Sequence, residues 1–207
     1  MARDNTGFMS KIKLRRHMLN KHFGKDEFGV LDACEGDGHV WTTLKQEFNL
    51  SRHLGIDLKE KKGRLAVDSV DFLGEANIGS FDVFDLDAYG SPFPMYEAAL
   101  SNLAKPAIFF LTFGSVGVGF SALSKHMAEV SKFFPDTLDF QFSKTLLNGY
   151  IVPPGIFHKV RNLTVPYCIN RCEQHGFAVT DFCEVTSSAT TRYFGIRVAP
   201  TVHSVAQ

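Results

Sequence analysis

The sequence has no surplus of charge of either sign: 22 Lys and Arg balance 22 Asp and Glu over 207 residues, for a formal net charge of zero. This removes the simplest argument for a polyanion-binding protein, which normally uses a basic excess to displace counterions from phosphates. A sum says nothing about distribution, so a local basic patch stays open. Cysteine is scarce. Cys34, Cys168, Cys172 and Cys183 are the full set, and in a chain of this size they read as reduced, mostly buried thiols. No second Cys or His pair stands at a zinc-like spacing, so no metal site is expected. No apolar run approaches the roughly 20 residues of a membrane span; Ala107 to Phe113 is only strand-length. The first twenty residues lack the continuous apolar core of a signal peptide. A cytoplasmic protein without membrane association is expected. No internal repeat, low-complexity tract or Ser-His-Asp spacing stands out.

What is present is the composition of a globular domain, 44% hydrophobic and 21% charged, with 20 Phe against one Trp. The chain is expected to form one domain over 1–207, with a basic helical extension at 1–27 and a substrate-side insertion at 114–157. Residues 8–23 alternate apolar and basic side chains as a weakly amphipathic helix. Short apolar runs that end in polar or glycine residues mark buried strands near 29–34, 53–56, 64–67, 81–86 and 105–112. Between them, His39 to Phe48 and the stretch after Ser91-Pro92 have helical spacing, with Ser91 expected as N-cap and Pro92 at the first helical position. Residues 178–185 and 191–198 read as a closing antiparallel hairpin. Strand–helix alternation over the first half implies right-handed βαβ units and a parallel sheet.

Ligands of such a sheet sit at the carboxyl ends of its strands. The first strand runs into Asp32-Ala33-Cys34-Glu35-Gly36-Asp37-Gly38, whose glycines let backbone approach a ligand closely. A dinucleotide fingerprint would need a third glycine where Trp41 stands, so a nicotinamide-dependent oxidoreductase is disfavoured. Asp57 closes the second strand, 21 residues after Gly36. A carboxylate there can accept from both hydroxyls of a ribose, although a solvated strand end or a helix cap explains it too. Asp68 closes the third strand, with Asp71 competing for the same role. At the end of the fourth strand stands Asp85-Leu86-Asp87-Ala88-Tyr89-Gly90-Ser91-Pro92. A capped turn accounts for its last three residues but not for two acids at a buried strand end.

The first of these segments resembles motif I of class I S-adenosylmethionine-dependent methyltransferases, with Cys34 in place of the first of three glycines. The last is similar to the Asp-Leu-Asp-Pro-Phe-Gly-Ser-Pro signature of tRNA dimethylguanosine methyltransferases, matching six of eight positions, with Ala88 for Pro and Tyr89 for Phe. The resemblance implies a Rossmann-like class I methyltransferase fold: a mostly parallel seven-stranded sheet whose last strand is inserted antiparallel. It implies S-adenosylmethionine as cofactor, bound by Asp32, Glu35, Gly36, Gly38, Asp57, Asp68 and Asp85, with Asp68 near the adenine amino group. It also implies Asp87 and Tyr89 as catalytic residues acting on a nitrogen of a nucleobase in tRNA or DNA, or of a similar planar acceptor. An amino nitrogen conjugated to a ring is a poor nucleophile, and a carboxylate accepting its hydrogen bonds localises the lone pair. An aromatic face can stack on a flat acceptor and orient it. The rival readings are a non-catalytic Rossmann-like module and a small-molecule methyltransferase. The tRNA enzymes carry a large C-terminal domain with no counterpart in these 207 residues. Two further features take bland readings. Lys11, Lys13, Arg15 and Arg16 are expected on a solvated helix face rather than on phosphate. Phe133, Phe134, Phe140 and Phe142 are expected in core or cap packing rather than in an acceptor pocket.

Overall fold

A computed structural model describes residues 7–61, 63–88, 91–114, 154–188 and 191–201. Seven strands form one sheet: β1 (Phe28–Asp32), β2 (Leu50–Asp57), β3 (Leu65–Ala66), β4 (Val83–Leu86), β5 (Ala107–Gly114), β6 (Phe177–Ser188) and β7 (Thr191–Pro200). Their order is β3-β2-β1-β4-β5-β7-β6. The first five pair parallel, while β7 lies between β5 and β6 and runs antiparallel to both. The expected sheet and its inserted last strand are thus present. The helices are α1 (Phe8–His22), α2 (His39–Leu44), α3 (Ser69–Glu75), α4 (Phe93–Ser101) and α5 (Pro154–Gln174).

Period-two alternation sends the strand side chains to opposite faces. Leu31, Phe84, Phe109, Leu111, Phe194 and Ile196 pack with Leu73 of α3, Tyr96 of α4 and Tyr167 of α5. Val30, Val83, Ile108, Phe110 and Tyr193 pack on the other side with Ile12, Leu14, Met18 and Leu19 of α1 and Trp41 and Leu44 of α2. Each such buried aliphatic side chain contributes about 1.5–3 kcal/mol. Helix α1 is therefore a layer of the core rather than an appendage to it. Cys168 and Cys172 share a helix face, and both meet Tyr96, whose hydroxyl lies 2.7 Å from Cys172 Sγ and donates to the Cys168 carbonyl at 3.3 Å.

Several boundaries differ from the expectation. Strand β2 begins at Leu50 rather than His53, α2 stops at Leu44 rather than Phe48, and α3 has no counterpart in the sequence reading. Helix α4 starts at Phe93, one residue later than Ser91 as N-cap requires; Ser91 Oγ still accepts from Phe93 N at 3.4 Å. The Phe133–Phe142 cluster, most of the 114–157 insertion, and Tyr89 and Gly90 lie outside the described residues.

Gly29 shows how tightly β1 is set. Its N–H donates to Asp82 Oδ2 at 2.8 Å, its carbonyl accepts from Asp82 N at 2.9 Å, and a Cβ here would overlap the backbone carbonyl oxygen of Ser80. Gly29→Ala forces backbone to move, and we expect it to destabilise the fold by roughly 1–3 kcal/mol. A lower urea midpoint at unchanged m-value would show this; an unchanged midpoint would refute it.

Candidate active site

The turn after β1 is braced from β2. Gly36 and Gly38 hold left-handed backbone at φ 53° and 68°, a conformation that costs glycine little. Gly38 N donates to the Glu35 carbonyl at 2.7 Å, and Glu35 N to the Ile56 carbonyl at 3.2 Å. Asp57, at the end of β2, accepts from Gly36 N through Oδ2 at 3.1 Å and from Lys59 N through Oδ1 at 3.0 Å. Arg64 crosses to the same place, donating to the Gly36 carbonyl at 2.5 Å and standing 3.4 Å from Asp57 Oδ2. The Glu35 side chain lies flat over Gly55, where a Cβ would displace its carboxylate. Glu35, Gly36, Gly38 and Asp57 therefore form one assembly. Each Asp57 oxygen keeps accepting capacity, because a carboxylate offers about four lone-pair sites.

Asp68 caps α3, accepting from Val70 N at 2.8 Å and Asp71 N at 3.2 Å. Its carboxylate fixes the helix start whatever else it does. Around this corner Leu58, Leu65 and Val70 stand in solvent, Leu58 with 73% of its surface exposed. Large apolar side chains gathered at the carboxyl ends of two strands suit a flat apolar ligand face.

The second assembly is acidic. Asp32 and Asp85 are neighbours across the β1–β4 ladder, and strand alternation turns Asp85 with Val83 toward α1 and α2. Asp85, at 1% exposure, receives Arg15 Nε at 2.7 Å and a second guanidinium nitrogen at 2.5 Å. The Trp41 indole N–H donates to the same carboxylate at 2.7 Å. Burial works against the charge on Arg15, but the Asp85 charge and hydrogen bonds outweigh it and raise its pKa. Lys11 Nζ reaches Asp87 Oδ2 at 2.6 Å, the two side chains being 16% and 19% exposed. It also lies 5.4 Å from the centre of the Tyr193 ring. Asp32 accepts from Cys34 N at 3.4 Å. Burial, then the charges of Asp85 and Asp87, push its pKa well above the usual carboxylate range. The same burial, with the surrounding acids, pushes the Cys34 thiol up, so Cys34 is no thiolate nucleophile at neutral pH. Three carboxyl groups thus meet two cations where β1 and β4 end.

A cleft of about 720 Å³ opens between α1, α2 and the end of β6, lined by Phe8, Met9, His39, Thr42, Thr43 and Ser187 among others. No charged Lys, Arg, Asp or Glu lines it among the described residues.

No protein-family model matches the sequence, and no curated protein matches it. Solved structures do. Trm1 from Pyrococcus horikoshii, in complex with S-adenosyl-L-methionine, superposes with a TM-score of 0.64 at 13% identity over 98% of this chain. The chain spans 57% of that structure's length. The 1,6-didemethyltoxoflavin-N1-methyltransferase of Burkholderia thailandensis, with bound 1,6-didemethyltoxoflavin and S-adenosylhomocysteine, superposes at 0.51 and 18% identity, covering 96% of this chain and 80% of that one. TYW2 of M. jannaschii, in complex with AdoMet, gives 0.52 at 8% identity, covering 92% of this chain and 76% of that one.

 The chain has the class I methyltransferase fold.

Within that fold the β1 turn, the end of β2 and the end of β4 share one edge, and every described residue expected at the site stands on it. Four residues that the sequence reading did not assign to the site stand there too: Lys11, Arg15, Trp41 and Arg64. A signal for Arg15 exists in the sequence. It falls on the apolar stripe of Ile12, Met18 and Leu19, and a cation on a buried stripe needs an acid opposite it. Lys13, by contrast, is exposed as expected, and Arg16 pairs with Glu47 at the surface.

Proposed function

We propose that the chain is an S-adenosylmethionine-dependent methyltransferase acting on a nitrogen of a nucleobase, in RNA or DNA, or of a similar planar acceptor. The observation that carries this reading is the acidic assembly, in which, among the described residues, Asp32, Asp85 and Asp87 meet two cations, Arg15 and Lys11. With one more carboxyl group than cations in a poorly solvated place, Asp32 is held toward its protonated form, and a cationic ligand beside it would favour the carboxylate instead. The braced glycine turn and the spare accepting capacity of Asp57 suit a donor with a ribose, and exposed Leu58 beside it suits the face of an adenine. Three of the structures with this fold hold such a donor or its product.

When bound, the donor supplies an activated methyl group on a positively charged sulfur. The protein's part is to align and to handle a proton. Asp32 and Asp85 stand opposite each other at the ends of β1 and β4, and Arg15 keeps Asp85 in place. Asp87, more accessible than Asp85, accepts hydrogen bonds from the acceptor nitrogen and takes its proton. Tyr89 stacks on the acceptor ring in this reading, and the uncharged cleft beside α1 and α2 suits a single flat base better than a run of phosphates.

Calorimetry with S-adenosylmethionine and S-adenosylhomocysteine tests the donor half. Binding of both is expected, and no binding of either at millimolar concentration would overturn it. Asp57→Ala should weaken both by a similar factor, roughly 10- to 100-fold, the effect of losing hydrogen bonds to a charged group. Unchanged affinities would remove Asp57 from the donor site.

A further inference from the structure

Lys11 and Arg15 stand one helical turn apart on α1 and grip two acids of the same strand end, yet they do so differently. Arg15 is fixed: it is buried, bonds Asp85 through two nitrogens, and stacks its guanidinium 5.0 Å from the centre of the Phe110 ring. Lys11 makes one bond, partly open to solvent, and has the Tyr193 ring beside it as a second seat for its ammonium. One cation of the acidic assembly is therefore structural and the other can be exchanged. Resting on the donor reading above, a sulfonium would bring a third positive charge to the acidic assembly. Transfer of the methyl group turns that sulfonium into a neutral thioether. An ammonium already seated on Asp87 opposes the cation and is indifferent to the thioether.

We propose that Lys11 is a specificity-determining residue that limits how strongly the site prefers the cationic donor over its neutral product. Its ammonium fills the charge deficit that Asp87 would otherwise leave at this strand end. The deficit offered to the sulfonium is correspondingly smaller. Arg15 cannot take this part, because removing it uncovers a buried carboxylate and changes the fold as well as the charge.

Calorimetry with the two ligands on the full chain separates the possibilities. Lys11→Met keeps the length of the side chain and removes its charge. It should raise the ratio of S-adenosylmethionine to S-adenosylhomocysteine affinity by roughly tenfold, as expected for a unit charge removed within several ångströms in a partly screened site. Product affinity should stay within about twofold, given that the thioether carries no charge. Lys11→Arg, which keeps the charge, should restore the wild-type ratio. Lys13→Met makes the same change of charge on the exposed face of α1 and should leave the ratio alone. An unchanged ratio in Lys11→Met, or an equal loss of both affinities, overturns the proposal while leaving the donor reading standing. Failure of the wild-type chain to bind either ligand overturns the donor reading itself, and the role of Lys11 with it.

Discussion

Asp87→Ala is expected to lower the rate of methyl transfer by roughly 10²–10⁴-fold, the range supplied by a positioned general base. The measurement is transfer of labelled methyl groups from S-adenosylmethionine to RNA, DNA and free nucleosides, with donor affinity followed in parallel. The two readouts should separate. Donor affinity should fall by no more than about tenfold, because Asp87 contributes one charge to an assembly that Asp32 and Asp85 still hold. A fall in affinity as large as the fall in rate would make Asp87 a donor-binding residue rather than a base. Asp87→Asn sharpens the comparison: it keeps the shape and one acceptor oxygen but cannot take the proton, so it should resemble alanine in rate more than in affinity. Lys11 loses its counter-charge in both variants, and its 16% exposure lets water solvate the ammonium. Wild-type chain that binds the donor and transfers to no acceptor, with Asp87→Ala indistinguishable from it, would favour a non-catalytic module.

The strand-end acids were legible because two rules converge on them. A short apolar run that stops at an acid marks a strand end, and ligands of an open parallel sheet gather there. Asp32, Asp57 and Asp85 stand where that reasoning puts them, each at the last or next-to-last position of its strand. The partners of those acids were harder to read, since pairing is a tertiary property. Arg15 and Asp85 are 70 residues apart and Lys11 and Asp87 are 76 apart; no local pattern joins them. Helix α1 also misleads by its composition, because the basic residues that interrupt its apolar positions look like a solvated face until an acidic partner appears. Helix α3 was hidden for another reason: its start depends on Asp68 capping Val70 and Asp71, and only Leu73 of its residues is buried. So short a helix gives no apolar stripe to detect. Trp41 stands where a dinucleotide fingerprint needs a glycine, and its actual part, donating an indole N–H to Asp85, is invisible without the strand opposite.

The largest effect on stability is expected from Arg15→Met. The substitution fits the apolar stripe of α1 and keeps the helix, so the main damage falls on Asp85. That carboxylate would keep the Trp41 N–H and lose two charge-assisted hydrogen bonds, at 1% exposure, with Asp32 and Asp87 still near it. Breaking a buried pair by removing one partner costs about 3–5 kcal/mol. At roughly 2–4 °C per kcal/mol for a chain of this size, Tm should fall by about 6–20 °C. Asp85→Asn in the wild-type background should also destabilise, leaving a buried guanidinium without its counter-charge. The double variant Arg15→Met with Asp85→Asn removes both charges and should recover much of the loss, giving a coupling energy well outside the scatter of additive pairs. Additive losses would mean that the two residues act through separate contacts, and a Tm unchanged in Arg15→Met would mean that Asp85 is not held by α1 at all. Recovery of stability without recovery of methyl transfer would separate the two duties of the pair. The fold needs the charges at this strand end matched, whereas the proposed chemistry needs Asp85 ionised and fixed so that Asp87, two residues further on, meets the acceptor.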